Sequence, residues 1–341
     1  MRPELLIKFE RGTGKDRYVE RLHYGFITVV DENYKVVFSS GDDENSPFPF
    51  RSAAKPLQAS ILIDTETHIH FRLTGEELAI ICSSHTGSAK HVALIRGILA
   101  KAGLSPDDLQ CGSHAPLDKE EAQRLIKANE QHTSPHNNCS GKHAGMLLTC
   151  AKMGWNINTY LQPDHPLQQA IMHNVKELCM LEQLPMTVTD GCSAPIPVLP
   201  LKNMGIGYLN LILDDKYRNI SLAMTQNPYI AGGKGRLDSE IMNAGGGNLI
   251  AKVGADGLCV VMNISERNAL IVKMTDADMK ARSVVTIESL KQLRWLTESA
   301  VATSEGLAAL YDREIKNLRG TTAGEIKAVF ELKDSVAVKH S

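Results

Sequence analysis

The sequence lacks an excess of charge of either sign, and it lacks a long apolar run. Its 341 residues include 37 lysines and arginines against 39 aspartates and glutamates, so nothing favours a nucleic acid or an anionic membrane as partner. No apolar run approaches the roughly 20 residues that cross a bilayer. The charged start, MRPELLIKFERGTGKDRY, lacks the apolar region of a signal peptide. We therefore expect a soluble, cytoplasmic protein.

The cysteines lack the spacing of a disulfide framework. There are seven, an odd number, they are scattered over the chain, and no two form a Cys-x-x-Cys arrangement. This usage is typical of reduced thiols in a cytoplasm. Repeats, low-complexity segments and a linker rich in Pro, Gly or Ser are also missing. We therefore predict a single unit that spans residues 1–341.

The hydrophobic patterns that are present predict an α+β fold. Two stretches rich in β-branched and aromatic residues flank "DEN" and predict a hairpin between Tyr24 and Ser39. Helical periodicity dominates the middle of the chain, where Thr74 and Glu77 form a capping-box pattern. Short β-branched segments return after NAGGGN. We predict an antiparallel sheet built from about residues 18–50 and 248–335, with a helical lobe from about residues 52–245 beside it.

The stretch FRSAAKPLQ places Ser52 and Lys55 on one face of a helix, because residues three apart are neighbours there. A desolvated lysine can take the proton of a serine hydroxyl, and the positive end of a helix favours developing negative charge. The same spacing is common at the polar edge of an ordinary helix. The motif alone leaves both interpretations open.

A second serine and a second lysine stand next to glycines. Ser84 lies in CSSHTGSAKH, where a helix is expected to end in a tight loop, and Lys252 lies in the short strand of LIAKVG. Both could face a cleft, since glycines let the backbone approach a ligand closely. The alternatives are a hydroxyl that only forms a turn and a lysine on an exposed strand edge.

Two polar turns supply candidates for a metal site. SPHNNCSGKHAGML crowds more polar groups at the start of a helix than capping needs, and TDGCSAPIPVLPL precedes a proline-rich stretch that cannot be helical. Cys139 and Cys192 could hold a soft divalent metal, with Lys142 or His143 nearby. The spacing does not require a metal, and burial as small apolar side chains is the alternative.

The chain resembles the L-asparaginase II family, the Rhizobium etli-type asparaginases, in six segments that occur in order: RSAAKPLQA, SSHTG, NNCSGKHAGM, DGCSAPIPVLPL, GRLDSEIM and AKVGADG. The resemblance runs from VERLHYGFITVVD to NLRGTTAGEIKAVFEL. It implies a fold related to serine β-lactamases and glutaminases, the hydrolysis of L-asparagine to L-aspartate and ammonia, and a homodimer.

The resemblance also implies roles for individual residues. The two serine–lysine pairs would be Ser52 with Lys55, and Ser84 with Lys252. A zinc ion would be held by Cys139, Lys142 and Cys192. The substrate pocket would include Arg51, His143 and Asp190. Two positions depart from the family pattern, Ser88 and Asp256, where a glutamate is common; substrate affinity or metal preference could differ as a result.

These roles lead to a hypothesis for amide hydrolysis. Ser84, activated through Lys252, would attack the side-chain amide carbon, while Ser52 and Lys55 relay protons to ammonia and from water. The analogy with β-lactamases makes Ser52 the nucleophile instead. Two lysines in one semi-enclosed pocket would favour the neutral form of each other. The alternatives are a serine hydrolase like β-lactamases or penicillin-binding proteins, and an amino-acid-binding protein without activity.

Overall fold

The computed structural model describes residues 1–41 and 46–332. The strands within these ranges are β1 (Glu4–Arg11), β2 (Tyr18–Val30), β3 (Val36–Ser40), β4 (Pro47–Pro49), β5 (Met186–Thr189), β6 (Pro195–Pro200), β7 (Leu249–Val253), β8 (Leu258–Asn263), β9 (Asn268–Met274), β10 (Glu314–Lys316) and β11 (Thr322–Ala328).

The helices of the same ranges come mostly from the middle of the chain. They are α1 (Lys55–Gln58), α2 (Ser60–Asp64), α3 (Thr67–His70), α4 (Gly75–Ile81), α5 (Ala89–Lys101), α6 (Lys119–Ala128), α7 (Ser140–Met153), α8 (Pro166–Leu178), α9 (Leu201–Leu213), α10 (Arg218–Gln226), α11 (Pro228–Ala231), α12 (Leu237–Ala244), α13 (Met279–Gln292), α14 (Glu298–Thr303) and α15 (Glu305–Tyr311). None of these helices combines the length and the apolar character needed to cross a membrane.

The strands of the two chain ends form one antiparallel sheet, which has eight strands in the described part of the chain. Seven follow the order β10-β11-β1-β2-β9-β8-β7, and β3 pairs with β2 beside β1. Gly25 of β2 pairs with β1 on one edge and with β9 on the other. A smaller sheet has the order β4-β6-β5. Its strand β4 directly precedes, in the sequence, the segment that carries Ser52 and Lys55.

Both faces at the centre of the large sheet are covered. Every residue of β8 is buried, as are five of the seven residues of β9. Successive strand residues point to opposite faces, so helices must cover both. Helices α9 and α13 each pack against β8 and β9. This packing fixes the position of β7, which borders β8 and carries Lys252.

The structure confirms the α+β prediction and the origin of the sheet in both chain ends. The β2–β3 hairpin forms where it was expected, with Asp31 Oδ1 accepting from the backbone N–H groups of Asn33 and Lys35. The predicted capping box also forms at the start of α4. The sheet gains β1, which begins before the predicted range. The predicted helical range of residues 52–245 is wrong at β5 and β6, two strands that form the smaller sheet with β4. Residues 42–45 and 333–335 of the predicted ranges lie outside the described residues.

Candidate active site

Lys55 stands at the junction of two short helical segments that follow β4. A 3-10 turn, Arg51–Ala54, leads directly into α1. The turn is held from the opposite side by Tyr208 of α9, whose hydroxyl donates to Ala53 O over 2.8 Å. The side chain of Lys55 is only 1% exposed. Its nitrogen must therefore find hydrogen-bond partners inside the protein.

Three oxygens surround the Lys55 Nζ atom. It donates to the Ser83 carbonyl over 2.6 Å, to the Ser84 hydroxyl over 3.0 Å and to the Asn138 carbonyl over 3.2 Å. An ammonium has three protons, so this set satisfies it completely. The hydroxyl of Ser84 is buried and in direct contact with Lys55, so a proton could pass from the serine to the lysine whenever the lysine is neutral.

A close helix contact brings the partners of Lys55 together. Gly141, in the first turn of α7, lies so near the end of α4 that a Cβ atom there would be 2.1 Å from the Ile80 carbonyl oxygen. Only glycine permits this approach. As a result, the residues just before α7, including Asn138, lie against the loop that follows α4 and carries Ser84.

Lys252 has a different partner. Its Nζ atom lies 3.1 Å from Asp238 Oδ2 and 3.0 Å from the Val253 carbonyl, and both side chains of the ion pair are 0% exposed. Burial lowers the pKa of Lys252 to about 8, and the charge of Lys55 acts in the same direction, whereas Asp238 opposes the shift. Lys252 and Lys55 therefore influence each other inside one buried site.

The pairing in the structure differs from the one that the resemblance implies. The hydrogen bonds of Lys55 go to Ser84 and two carbonyls, and Ser52 is not among its partners. Those of Lys252 go to Asp238 and Val253, not to Ser84. Ser52 lies one residue after Arg51 in the 3-10 turn and is partly buried. In the structure, the lysine in contact with Ser84 is therefore Lys55 and not Lys252.

Arg51 is held between two carboxylates. Its Nη1 lies 3.3 Å from Asp190 Oδ1, and its Nε lies 3.3 Å from Asp256 Oδ2. The three backbone segments that meet here each contain a residue with positive φ, namely Arg51 (49°), Ser193 (68°) and Asp256 (57°). Such conformations are uncommon for residues other than glycine, and they cluster at functional sites. Arg51 therefore occupies a constrained position beside the serine–lysine dyad.

The predicted metal-binding side chains also meet. The ligand atoms of Cys139, Asp190 and Cys192 lie within 4.8 Å of one another. The ammonium of Lys142 donates to Cys192 Sγ over 3.1 Å. The proline-rich segment that ends in β6 carries Cys192, and the start of α7 carries the other cysteine. The structure adds Asp190 to the ligand set that the resemblance implies.

The pKa values of the two cysteines are shifted in opposite directions. A hydrogen bond from Cys192 holds the pKa of the Cys139 thiol well below its ordinary value, and nearby lysines act in the same direction against burial. The pKa of Cys192 is raised, first by this hydrogen bond and then by burial. Burial lowers the pKa of Lys142, but the neighbouring cysteines and Asp190 more than offset this and raise it overall.

This donor set fits a zinc ion. Cysteine thiolates and a carboxylate oxygen are ordinary zinc ligands, and a thiolate already favoured by its surroundings needs no further proton loss. Lys142 can serve as a ligand only when neutral, a form that a bound cation would favour. The residues present therefore offer either three conventional ligands or two with a lysine.

His143 lies on α7, buried beside the same cluster. Tyr160 OH accepts from the Gln110 N–H and lies 2.7 Å from His143 Nδ1. The hydroxyl can therefore donate to Nδ1, which leaves the imidazole proton on Nε2. That nitrogen is buried and, among the described residues, has no hydrogen-bond partner. Burial and the nearby lysines hold the pKa of His143 well below its ordinary value, so the ring is neutral.

Sequence reasoning missed one member of the site, Asp238. It lies in GRLDSEIM, a segment that carries the resemblance but to which no role was given. The signal was present, because Asp238 stands between Leu237 and Ile241 on the apolar face of a short helix. A carboxylate on a buried face requires a charged or hydrogen-bonding partner. The sequence does not reveal that Lys252 is that partner.

Comparisons with known proteins identify the family of the chain. The model of the family described as L-asparaginase II matches residues 12–328. No curated protein sequence is similar to the chain at a significant level. Among solved structures, the chain is similar to a β-lactamase from Mycobacterium bovis, with 12% identity and a TM-score of 0.42 over 80% of this chain and 95% of that one.

Proposed function

Because the chain belongs to the L-asparaginase II family, we propose that this amidohydrolase converts L-asparagine and water to L-aspartate and ammonia. Amide hydrolysis needs a nucleophile and a group that takes its proton. The observation that carries the proposal is the 3.0 Å hydrogen bond between the buried Ser84 hydroxyl and Lys55 Nζ.

In the first step, Ser84 Oγ attacks the side-chain amide carbon of the substrate. The hydroxyl proton passes to the neutral amine of Lys55, and the carbonyl electron pair moves to oxygen. When the tetrahedral intermediate collapses, the Lys55 ammonium gives its extra proton to the amide nitrogen, the C–N bond breaks and ammonia leaves, while Lys55 returns to its neutral form. This leaves an ester between Ser84 and the aspartyl group, which is the acyl-enzyme that a serine nucleophile forms.

In the second step, water attacks the ester carbon. A neutral lysine takes the water proton, the C–O bond to Ser84 breaks, and the serine recovers its proton. Lys252 supports both steps, because its lowered pKa of about 8 makes both its neutral and its charged form accessible near neutral pH. Ser52, in the turn that precedes Lys55, is the candidate for relaying protons to the leaving ammonia.

Arg51 and the groups around it would orient the substrate. A guanidinium can grip the α-carboxylate of asparagine with two parallel hydrogen bonds, and Asp190 can accept from the α-ammonium. The two side chains already lie 3.3 Å apart, so their substrate partners would sit side by side. The unpartnered Nε2–H of His143 offers a further donor for a substrate oxygen.

We propose zinc at Cys139, Lys142 and Cys192, with Asp190 as a further candidate ligand. When bound, such an ion would supply fixed positive charge that helps to hold a carboxylate-bearing substrate. Asp190 then has two competing roles, since it also pairs with Arg51. Whichever role Asp190 takes, the proton transfers proposed above use only serine and lysine side chains.

The test is ammonia release from L-asparagine and from L-glutamine, each with and without added zinc. The proposal expects release from asparagine by the wild-type chain and none by Ser84→Ala. Nitrocefin is assayed in parallel. Hydrolysis of nitrocefin without ammonia release would favour a β-lactamase-like enzyme, and asparagine binding without release by the wild-type chain would favour a binding protein.

A further inference from the structure

Asp238 and Lys252 form an ion pair that is closed off from solvent. Asp238 Oδ2 lies 3.1 Å from Lys252 Nζ and also accepts from the Val253 N–H over 3.4 Å. Neither side chain is exposed. A pair buried to this extent is costly to desolvate, so it stabilises the fold only weakly and calls for a functional account.

The surroundings of Asp238 fix its carboxylate closely. A Cβ atom on Gly232 would lie 2.7 Å from Asp238 Oδ1 and 2.3 Å from Ser239 Oγ, so the backbone at this position can pack only as glycine. The next residue, Gly233, packs as tightly against Thr86, in the loop that also carries Ser84. One short segment therefore links the carboxylate to the loop of the nucleophile.

We propose that Asp238 is a positioning residue that holds the Lys252 ammonium in the active site and sets the pH at which it gives up its proton. The inference rests on the proposed function for its catalytic meaning, but its physical content concerns only the ion pair. Asp238 acts through Lys252 and does not itself contact the substrate.

The charge balance explains why a carboxylate is needed there. Burial and the charge of Lys55 both disfavour the ammonium form of Lys252. Without a counter-ion, the pKa of Lys252 would fall further, and less of its ammonium form would be present to donate a proton to a leaving group. With Asp238 as partner, its pKa stays at about 8. The side chain can then both accept and donate a proton near neutral pH.

Three protonated groups surround the pair among the described residues. The titratable and charged groups that face it are Lys55, Cys82, Tyr208, Arg236, Cys259 and Arg282. Burial raises the pKa of Cys82 and of Cys259 to about 12, and it raises the pKa of Tyr208 well above its ordinary value. These three groups keep their protons where Lys252 loses its own.

The test is a direct titration of Lys252 in the full chain, by NMR of lysine labelled with ¹³C at Cε. The Lys252 signal is assigned by its absence from Lys252→Met. We expect the midpoint to fall by about one pH unit or more in Asp238→Asn, which keeps the size of the side chain but removes its charge. Asp107→Asn removes an exposed carboxylate elsewhere and should leave the midpoint unchanged. Equal midpoints in Asp238→Asn and wild type would overturn the proposal.

A second measurement, which does not use Asp238→Asn, covers the case in which that variant does not fold. In wild type labelled at aspartate Cγ, one carboxylate signal should move with the same midpoint as Lys252, and this movement should be lost in Lys252→Met. If no aspartate signal follows the lysine, Asp238 is not its partner and the proposal fails.

Activity separates this inference from the proposed function. Each limb of the pH profile for ammonia release that reports Lys252 should move to lower pH in Asp238→Asn, whether Lys252 acts as base or as acid. A merely structural carboxylate would lower activity without moving a limb. If the wild-type chain releases no ammonia from asparagine, the proposed function fails, while the NMR titration still decides the role of Asp238.

Discussion

Lys55 and Lys252 are both buried lysines of one site, yet they are held in different ways. Lys55 is surrounded by neutral oxygens, two backbone carbonyls and the Ser84 hydroxyl. Lys252 faces a buried carboxylate, Asp238. The first environment suits a lysine that exchanges a proton with a serine. The second suits a lysine that keeps its charge, because the carboxylate stabilises the ammonium form.

The difference shows that sequence spacing is a weak guide to pairing. Ser52 and Lys55 are three residues apart, but Lys55 reaches across to Ser84, 29 residues away. Sequence motifs can therefore name the four residues, while the contacts in the structure pair Lys55 with Ser84 and Lys252 with Asp238. The predictions below test the division, beginning with the one that has the largest expected effect.

Replacing Ser84 should remove turnover. Ser84→Ala leaves no nucleophile at Lys55 and should lower kcat by roughly 10⁴-fold or more. Lys55→Met should lower kcat by about 10²- to 10⁴-fold, since it removes the proton acceptor. Both are measured as ammonia release from L-asparagine, with a thermal melt to show that each variant is folded.

The position of the acyl group discriminates between the two serines. Rapid acid quench during turnover, followed by peptide mass spectrometry, should locate an aspartyl adduct on Ser84. Ser52→Ala is the matched control, because it should still form that adduct while releasing ammonia more slowly. An adduct on Ser52 would restore the pairing of Ser52 with Lys55, and an adduct on neither serine would contradict covalent catalysis.

Removing Lys252 should damage stability as well as turnover. Lys252→Met leaves Asp238 as an unpaired buried charge, which costs about 3–5 kcal/mol of unfolding free energy. The double variant Lys252→Met, Asp238→Leu should recover most of this loss while remaining inactive. Denaturant titration measures both effects. A single variant as stable as wild type would show that the carboxylate has another partner.

The contribution of Lys252 to the free energy of unfolding should depend on pH. Because the folded pKa of Lys252, about 8, lies below the value of about 10.4 for a free lysine, the unfolded chain binds more protons here between those two pH values. The contribution of Lys252 to the free energy of unfolding therefore rises with pH between about 8 and 10.4, by at most about 1.4 kcal/mol per pH unit. The same contribution is lost as the pH falls to 8.

The measurement is the difference in unfolding free energy between wild type and Lys252→Met at several pH values. Buried thiols with raised pKa act in the opposite sense, but they are present in both proteins and largely cancel. A difference that does not change between pH 8 and 10 would mean that Lys252 titrates as an ordinary lysine.

Much of the fold follows from local patterns in the sequence, and the site follows only in part. The capping box at Thr74 and the hairpin after Val30 depend on neighbours in the chain, so periodicity and turn chemistry predict them. The contact of Lys55 with Ser84 depends on how α7 packs against α4 through Gly141. No local pattern encodes that packing, which is why the residues could be named before their partners could.

A smaller effect on catalysis is expected at the cysteine cluster of Cys139 and Cys192. Cys139→Ala removes a proposed zinc ligand but leaves Ser84 and both lysines in place, so it should mainly raise KM with little change in kcat. Steady-state kinetics with and without a chelator check this. A chelator that leaves kcat and KM of the wild type unchanged would make any bound metal structural, and a large fall in kcat would tie the cluster to the chemical step.

The smallest effect on catalysis is expected at the exposed ion pair between Arg51 and Asp256. Asp256 lies 3.3 Å from Arg51 but is 62% exposed, whereas Asp190, on the other side of Arg51, is 9% exposed. An exposed ion pair contributes about 0–1 kcal/mol. Asp256→Asn frees Arg51 from a competitor for the substrate carboxylate and should lower KM by no more than about fivefold. Asp190→Asn should raise KM, since it removes the partner of the α-ammonium. If Asp256→Asn instead shifts the pH profile as Asp238→Asn is expected to do, then burial does not decide which carboxylate controls a lysine, and the distinction between the two lysine environments fails.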